Sequence, residues 1–191
     1  MTESTDVAAL AAVDPQDYRE ALARFATGVT VVTTLDDDRD GPHPWGTTVN
    51  SFTGISLDPP LVLVAIGRER SIHPIIERTH RFGVNVLGED SQTLSDCFAG
   101  APSPTPRSAF CNAPYSLGAA GLPVLEAAVA YVACEVERVI EAGDHTIYLG
   151  RVVETACRDE VGWPLLYFRR RYLRIERADT ADLRGKPDRL R

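Results

Sequence analysis

The sequence predicts a mainly β domain, a barrel with a few peripheral helices. Short runs rich in valine, isoleucine and threonine recur along the chain, as in GVTVVTTL (28–35), LVLVAIG (61–67) and FGVNVL (82–87). Such runs, bounded by turn residues, read as strands. Helical periodicity is confined to a few short stretches. These do not alternate regularly with the strands, so a doubly wound parallel sheet is disfavoured and a barrel fits better.

Residues 1–13 read as a loose arm and 14–176 as the single domain. Asp14 followed by Pro15 is a helix start, a cap with proline at the first helical position. Tyr18, Leu22 and Phe25 mark one face of that helix, and Gly28 is placed to end it. Strand 28–35 leads through the polar turn DDDRDG (36–41) to WGTTVNSF (45–52). LDPP (57–60) is a tight turn before the apolar strand 61–67. Ser71 to Thr79 reads as a short helix with Ser71 as its cap and Pro74 in its first turn. Strand 82–87 precedes a helix over 90–100, capped by Asp90 and stopped by Gly100. Residues 101–118, rich in proline and serine, form a long loop that could lie over a site or a neighbouring subunit. AVAYVACEVERVIEAG (128–143) and HTIYLGRVVETA (145–156) read as a long hairpin about Gly143-Asp144, a pair suited to a two-residue turn. One strand or a pair follows in 164–176. The charged tail 177–191 reads as disordered.

The composition narrows the function. A 44% hydrophobic and 25% charged chain of 191 residues can fill one soluble core. A net charge of -7 argues against nucleic acid as a partner. No apolar run approaches a membrane span, and the N-terminus lacks the features of a signal peptide, so a cytoplasmic protein is expected. In that reducing setting Cys97, Cys111, Cys134 and Cys157, widely spaced and without a CxxC, are expected as free thiols.

Several chemistries lack their motifs. There is no GxGxxG, no GxxxxGKS/T and no HExxH. Gly54-Ile55-Ser56-Leu57-Asp58 falls one residue short of a nucleophile elbow. His43, His73, His80 and His145 have no local metal-ligand spacing, so no metal is expected.

Three stretches carry positive chemistry. GTTVNS (46–51) offers hydroxyls at Thr47, Thr48 and Ser51, an amide at Asn50, and a glycine beside which a ligand could approach. Alternation puts Thr48 and Asn50 on one face and Thr47 and Ser51 toward the other. Neutral hydrogen-bonding groups on a rigid strand suit a planar heterocycle, although a polar-faced surface strand gives the same pattern. GRERSIH (67–73) could hold a phosphate through Ser71, Arg68 or Arg70, or be a solvated basic turn. In GDHTIYLGRV (143–152) the Asp144-His145 pair could be a turn, half of a metal site, a catalytic pair or a binding surface.

FATGVTVVTT, GTTVNSF, SLDPPLVLVAI, RFGVNVL, LSDCFAG, the GDH stretch and PLLYF occur in the order seen in the flavin reductase-like family. The chain resembles that family over roughly residues 15–176. The resemblance implies an FMN-binding split β-barrel (Greek-key-like) and a homodimer with flavin sites near the subunit interface. It implies NAD(P)H-dependent reduction of free FAD or FMN, by hydride transfer from nicotinamide C4 to flavin N5. NADH is favoured and NADPH is the alternative. Reduced flavin would then diffuse to a separate flavin-dependent monooxygenase.

By the same resemblance Thr47, Thr48, Asn50 and Ser51 face the isoalloxazine and ribityl chain. Arg68, Arg70 and Ser71 hold the phosphate. Ala65 and Ile66 pass beside the flavin, Asn85 lies near it, and Phe98 packs on the ring. Asp144, His145 and Tyr148 border the nicotinamide, with Gly150 a place where a ligand could approach. His145 contacts the carboxamide or a nearby phosphate and is a possible catalytic group, although none is obligatory for hydride transfer. The chain departs from the family's usual residues at Thr47, Val49, His73, Ala127 and Arg170. A flavin-binding or storage module without reductase activity, and a split-barrel flavoenzyme oxidising a small substrate, are the alternative readings.

Overall fold

A computed structural model describes residues 12–38, 41–102, 110–158 and 162–175. The expected tail, and the arm up to residue 11, lie outside the described residues.

Helix α1 (Pro15–Leu22) starts as expected: the Asp14 carboxylate accepts from the backbone N–H of Gln16 at 2.7 Å and of Asp17 at 3.2 Å. It ends well before Gly28. That glycine belongs to β1 (Thr27–Gly28), which pairs with β11 (Leu166–Phe168). The backbone of Ala23, just past the helix, accepts from Arg169 N at 2.7 Å, so the chain is turned there by a tertiary contact and not by a glycine.

β2 (Thr30–Asp38) and β3 (Gly41–Val49) form a hairpin whose pairing reaches Asp38↔Gly41, so most of the expected polar turn is strand. Pro42 and Pro44 are tolerated because β3 is an edge. β4 (Thr53–Leu57) and β5 (Pro60–Gly67) meet across the expected turn. α2 (His73–Thr79) begins two residues after Ser71. Ile72 sits at its cap position without a side-chain bond, and Pro74 lies in the first turn. β6 (Arg81–Leu87) leads to α3 (Gln92–Phe98). Ser91, and not Asp90, precedes that helix, and Asp90 pairs instead with Arg174 at 2.7 Å. The expected long loop contains β7 (Tyr115–Leu117), which pairs with β8 (Pro123–Leu125).

The long hairpin stands as expected: β9 (Ala128–Ala142) and β10 (His145–Cys157) turn at Gly143, whose φ of +62° suits glycine. β12 (Arg171–Leu173) closes the chain as a hairpin with β11.

Seven strands form one antiparallel sheet in the order β3-β2-β6-β9-β10-β5-β4. Its two edges, β3 and β4, are joined by residues 50–52. Ser51 Oγ donates to Ala65 O and accepts from Ala65 N, both at 2.9 Å, which ties the end of β3 to β5. The sheet therefore rolls into a split β-barrel. Val32, Val64, Ile66, Phe82, Val84 and Tyr148 fill its interior, and Ile72, at the start of α2, and Ile76 within it pack against them. Val31, Leu87, Phe98 and Phe110 belong to a second cluster under α3, so β2 buries both faces.

Cys97 and Cys111 are joined in a disulfide, which corrects the expectation of four free thiols. Widely spaced cysteines carry no signal of their separation in space, and here the fold brings the two Cα atoms to 6.1 Å. Cys134 is free and buried, and Cys157 is free and exposed.

Candidate functional site

The antiparallel pairing of β5 with β10 brings two of the three chemical stretches together. His145 stands opposite Gly67, and Arg68 N donates to Asp144 O at 3.1 Å. GRERSIH and GDH are thus neighbouring turns at one end of the barrel. His145 Nδ1 lies 2.7 Å from Asp144 Oδ1. With a carboxylate as acceptor, Nδ1–H donates, and Nε2 is left as the ring's other polar atom. This bond, and the nearness of the imidazole, hold the Asp144 carboxyl below its ordinary range. Both side chains are exposed.

The remaining charges of the turns are distributed. Arg68 pairs with Glu141 at 3.2 Å, on the strand leading into the GDH turn. Arg70 Nη1 donates to Ala99 O at 3.0 Å, so this guanidinium bridges the turn to the end of α3. His73 is largely buried. Its Nε2 lies 2.8 Å from Thr146 Oγ1, and its ring meets Tyr148 edge-on at 5.9 Å.

Beside the 67–73 turn lies a cavity of about 330 Å³ lined by Gly46, Thr47, Arg70, Ser71 and Phe98, with both disulfide cysteines at its border. Trp45, which the sequence reading did not single out, also lines it; its buried Nε1 has no hydrogen-bond partner among the described residues. A larger groove of about 740 Å³ opens along Thr30, Asn50, Ser51, Phe52 and Thr53. Thr48, Val49 and Asn50 line a third, smaller cavity with Tyr172, and Asn50 also lines the larger groove with Ser51, so the expected alternation ends with β3 at Val49. Thr48 Oγ1 donates to Ser95 O at 2.7 Å, Ser95 Oγ meets the Tyr172 hydroxyl at 3.0 Å, and Tyr172 donates to Asp96 at 2.8 Å. Burial, then the Asp96 contacts, raise the Tyr172 hydroxyl's pKa.

Several expected site residues serve the fold. Asn85 is fully buried: its amide nitrogen reaches Thr33 Oγ1 at 3.1 Å and Val31 O at 3.3 Å, and its oxygen accepts from Leu125 N at 2.8 Å. It clips β8 to the barrel. Ile66 and Tyr148 are fully buried in the barrel core and present no surface to a ligand. Ala65 is engaged through its backbone by Ser51. Both glycines at which a ligand approach was expected seat an aromatic ring, and Gly46 also lines the smaller cavity. A Cβ at Gly46 would meet Phe98 Cε1 at 2.6 Å, and one at Gly150 would meet Phe82 Cζ at 2.5 Å. Among the described residues no group of three or more His, Cys, Asp or Glu is placed to hold a metal ion.

The family model described as the flavin reductase-like domain matches residues 22–176. The chain belongs to the flavin reductase-like family. It is 41% identical over 157 residues to an NADH-dependent flavin reductase of Rhodococcus sp, covering 82% of this chain and 84% of that one. It is 36% identical to the flavin-dependent monooxygenase reductase subunit HsaB of Rhodococcus jostii (strain RHA1), covering 98% and 93%. Among solved structures, flavin reductase PheA2 superposes with a TM-score of 0.76 at 35% identity, covering 86% of this chain and 99% of that one. The Streptomyces globisporus NADH:FAD oxidoreductase SgcE6, solved with NAD and FAD fragments, superposes with a TM-score of 0.75 at 33% identity, covering 88% and 98%.

The flavin reductase-like site fits a flavin by its own features. The smaller cavity joins a partly exposed arginine and a serine hydroxyl to the wall formed by Phe98, and the larger groove is of a size that holds a ring system.

Proposed function

We infer that the chain is an NADH-dependent flavin reductase that supplies reduced flavin to a separate monooxygenase. The observation that carries this reading is the pairing of the two turns: Arg68 N bonded to Asp144 O sets a phosphate-binding turn beside a surface histidine. A flavin storage module would need the first turn alone.

NADH supplies the hydride at nicotinamide C4 and the flavin accepts it at N5, so the chain's own task is to bind, orient and exclude. Arg70 and Ser71 hold the flavin phosphate, with Thr47 beside them on the cavity wall. Asn50 and Ser51 line the groove for the ring and ribityl chain. Thr48, donating to Ser95, fixes β3 against α3 and acts as a positioning residue. Asp144 holds the His145 ring so that Nε2 faces the nicotinamide carboxamide or a neighbouring phosphate. Arg68, paired with Glu141 at 3.2 Å, is a secondary phosphate contact because it does not line the cavity, whereas Arg70 does, although Glu69 lies 3.8 Å from it.

Either flavin serves as acceptor. NADH is favoured over NADPH, as in the NADH-dependent flavin reductases to which the chain is similar. A homodimer is supported by exposed large apolar residues, Ile55 and Leu57 on edge strand β4 and Val139 and Ile140 near the hairpin tip. The described residues contain no helix long and apolar enough to cross a membrane. We place the enzyme in the cytoplasm, where NADH is regenerated, and have reduced flavin reach the monooxygenase by diffusion.

The test is oxidation of NADH or NADPH with FMN or FAD, followed at the nicotinamide absorbance band. Protein-dependent oxidation is expected. His145→Ala should raise the KM for NADH by about tenfold, the loss of one hydrogen bond to a charged or polar ligand group. No oxidation with any pairing would overturn the reading.

A further inference from the structure

The β11–β12 hairpin turns on Arg169 and Arg170, with φ of +48° and +61°. A two-residue turn with both residues left-handed normally takes Asn-Gly, because a side chain there costs about 1 kcal/mol or more. Two arginines occupy it instead. The turn is held by Arg169 N donating to Ala23 O at 2.7 Å, just beyond α1.

Arg170 lines a cavity of about 490 Å³ together with Arg19, Gln16, Asn50, Tyr167 and Phe25. A contiguous cavity of about 320 Å³ adds Arg24 and Arg169 to Arg170. Arg24 is paired with Glu20 at 3.6 Å. Among the described residues Arg19, Arg169 and Arg170 have no carboxylate partner. All three are exposed, and Arg169 stands over the Phe168 ring at 5.5 Å; such a concentration of guanidinium without carboxylates, in a chain of net charge -7, suits an anion. The cavity is not purely ionic. Leu22 and Phe25 form an apolar wall, and Phe25 is 74% exposed, an aromatic face free for stacking. Amide groups of Gln16 and Asn50 and the Tyr167 hydroxyl stand beside it. Guanidinium forks, an exposed aromatic ring and neutral hydrogen-bonding groups together match a phosphorylated adenosine.

We propose that this cavity binds the adenosine diphosphate half common to NADH and FAD. Arg170 and Arg19 hold the phosphates, and Phe25 stacks on adenine. The proposal rests on the flavin reductase reading for its choice of ligand. It is distinct from the Arg70–Ser71 cavity, which lies at the Thr47 end of the same strand, and it meets the flavin groove at Asn50, which borders both. The strained turn is thereby explained as the means of presenting a guanidinium where glycine would present none.

The test uses ADP as the probe, titrated into the full chain by calorimetry. Arg170→Gly removes the guanidinium at a backbone position that glycine adopts without strain, so the fold is kept. Arg19→Gln, on an exposed helix face, is the second variant. Each should weaken ADP binding by about tenfold, the loss of one charge-assisted contact. Kinetics then separate the sources. A raised KM for NADH with FMN as acceptor assigns the cavity to the nicotinamide dinucleotide. A raised KM for FAD without a change for NADH assigns it to the flavin dinucleotide. Either supports the proposal. ADP affinity unchanged in both variants, or no ADP binding to the wild type at millimolar concentration, overturns it. Absence of NADH oxidation with any flavin would sink the reductase reading, while the ADP titration would still decide the cavity.

Discussion

Gly46→Ala is the sharpest test of how the smaller cavity is built. An added Cβ would lie 2.6 Å and 2.9 Å from two atoms of the Phe98 ring and 3.3 Å from Val31 Cγ1. Ordinary contact begins near 3.4 Å, so the ring must retreat by about 1 Å. It has little room. Phe98 is 5% exposed and packs edge-on against Phe110 at 5.1 Å, which packs in turn on Tyr115 at 5.1 Å. Overpacking of this kind costs about 2–3 kcal/mol. Replacing glycine within a strand returns about 1 kcal/mol, leaving a net loss of about 1–2 kcal/mol. With a urea m-value of about 2 kcal/mol/M, the midpoint should fall by about 0.5–1 M at unchanged m. FMN affinity should fall as well, because the displaced ring is a wall of the cavity. Phe98→Leu in the same background should recover part of the loss, giving a coupling of at least about 0.5 kcal/mol. An unmoved midpoint, or strict additivity of the two changes, would refute the claim that Gly46 exists to seat Phe98.

Three further outcomes follow from the buried groups. Asn85→Ala should lower stability by about 3 kcal/mol in urea titration, since the Leu125 N–H loses its acceptor and β8 its clip, and FMN affinity should change far less than stability does. Burial raises the Cys134 thiol from its ordinary 9.0 to about 12. The folded chain therefore holds this proton more tightly than the unfolded one, so the contribution is complete below pH 9 and is lost as pH rises toward 12. Thermal melts should show Cys134→Ala with a shallower decline over that window than wild type, and parallel curves would contradict it. Removing the Cys97–Cys111 disulfide by Cys111→Ser frees a loop with a sequence separation of 14, and should cost about 3 kcal/mol under non-reducing conditions and nothing in excess dithiothreitol.

The barrel was readable where pattern and turn chemistry agree. The β9–β10 hairpin combines long alternation with Gly143-Asp144, and both its strands and its turn follow from the sequence. Period two also bears on the site residues of this strand. His145 is exposed, so Tyr148, an odd number of residues on, must face the other side, and it does so in the core. Asn85 misled for a different reason. A polar residue in an apolar strand announces a hydrogen-bonding need, but not whether a ligand or the backbone of β8 meets it. The end of α1 and the Cys97–Cys111 bridge depend on tertiary contacts between distant segments, which local pattern does not encode. The chemistry of 46–51 is also that of a polar-faced surface strand and that of 67–73 a solvated basic turn, and only the ordered family resemblance favours the binding readings.

The placement of the turns explains why a small barrel can serve two nucleotides with few dedicated residues. β5 and β10 are adjacent antiparallel strands, so the end of one and the start of the other meet at the same rim. The core beneath them, Ile66, Tyr148 and Ile72, is apolar and tightly filled, and it fixes both strand ends without contributing a ligand group. One backbone bond, Arg68 N to Asp144 O, then makes the turns a single unit. Side chains on that unit can vary with little effect on its geometry, because the peptide groups carry the connection. In the proposed function the exposed side chains at this rim, Arg70, Ser71 and His145, are the ones that meet phosphate and nicotinamide. Such positions bind from solvent and release to solvent, as a product that must leave requires.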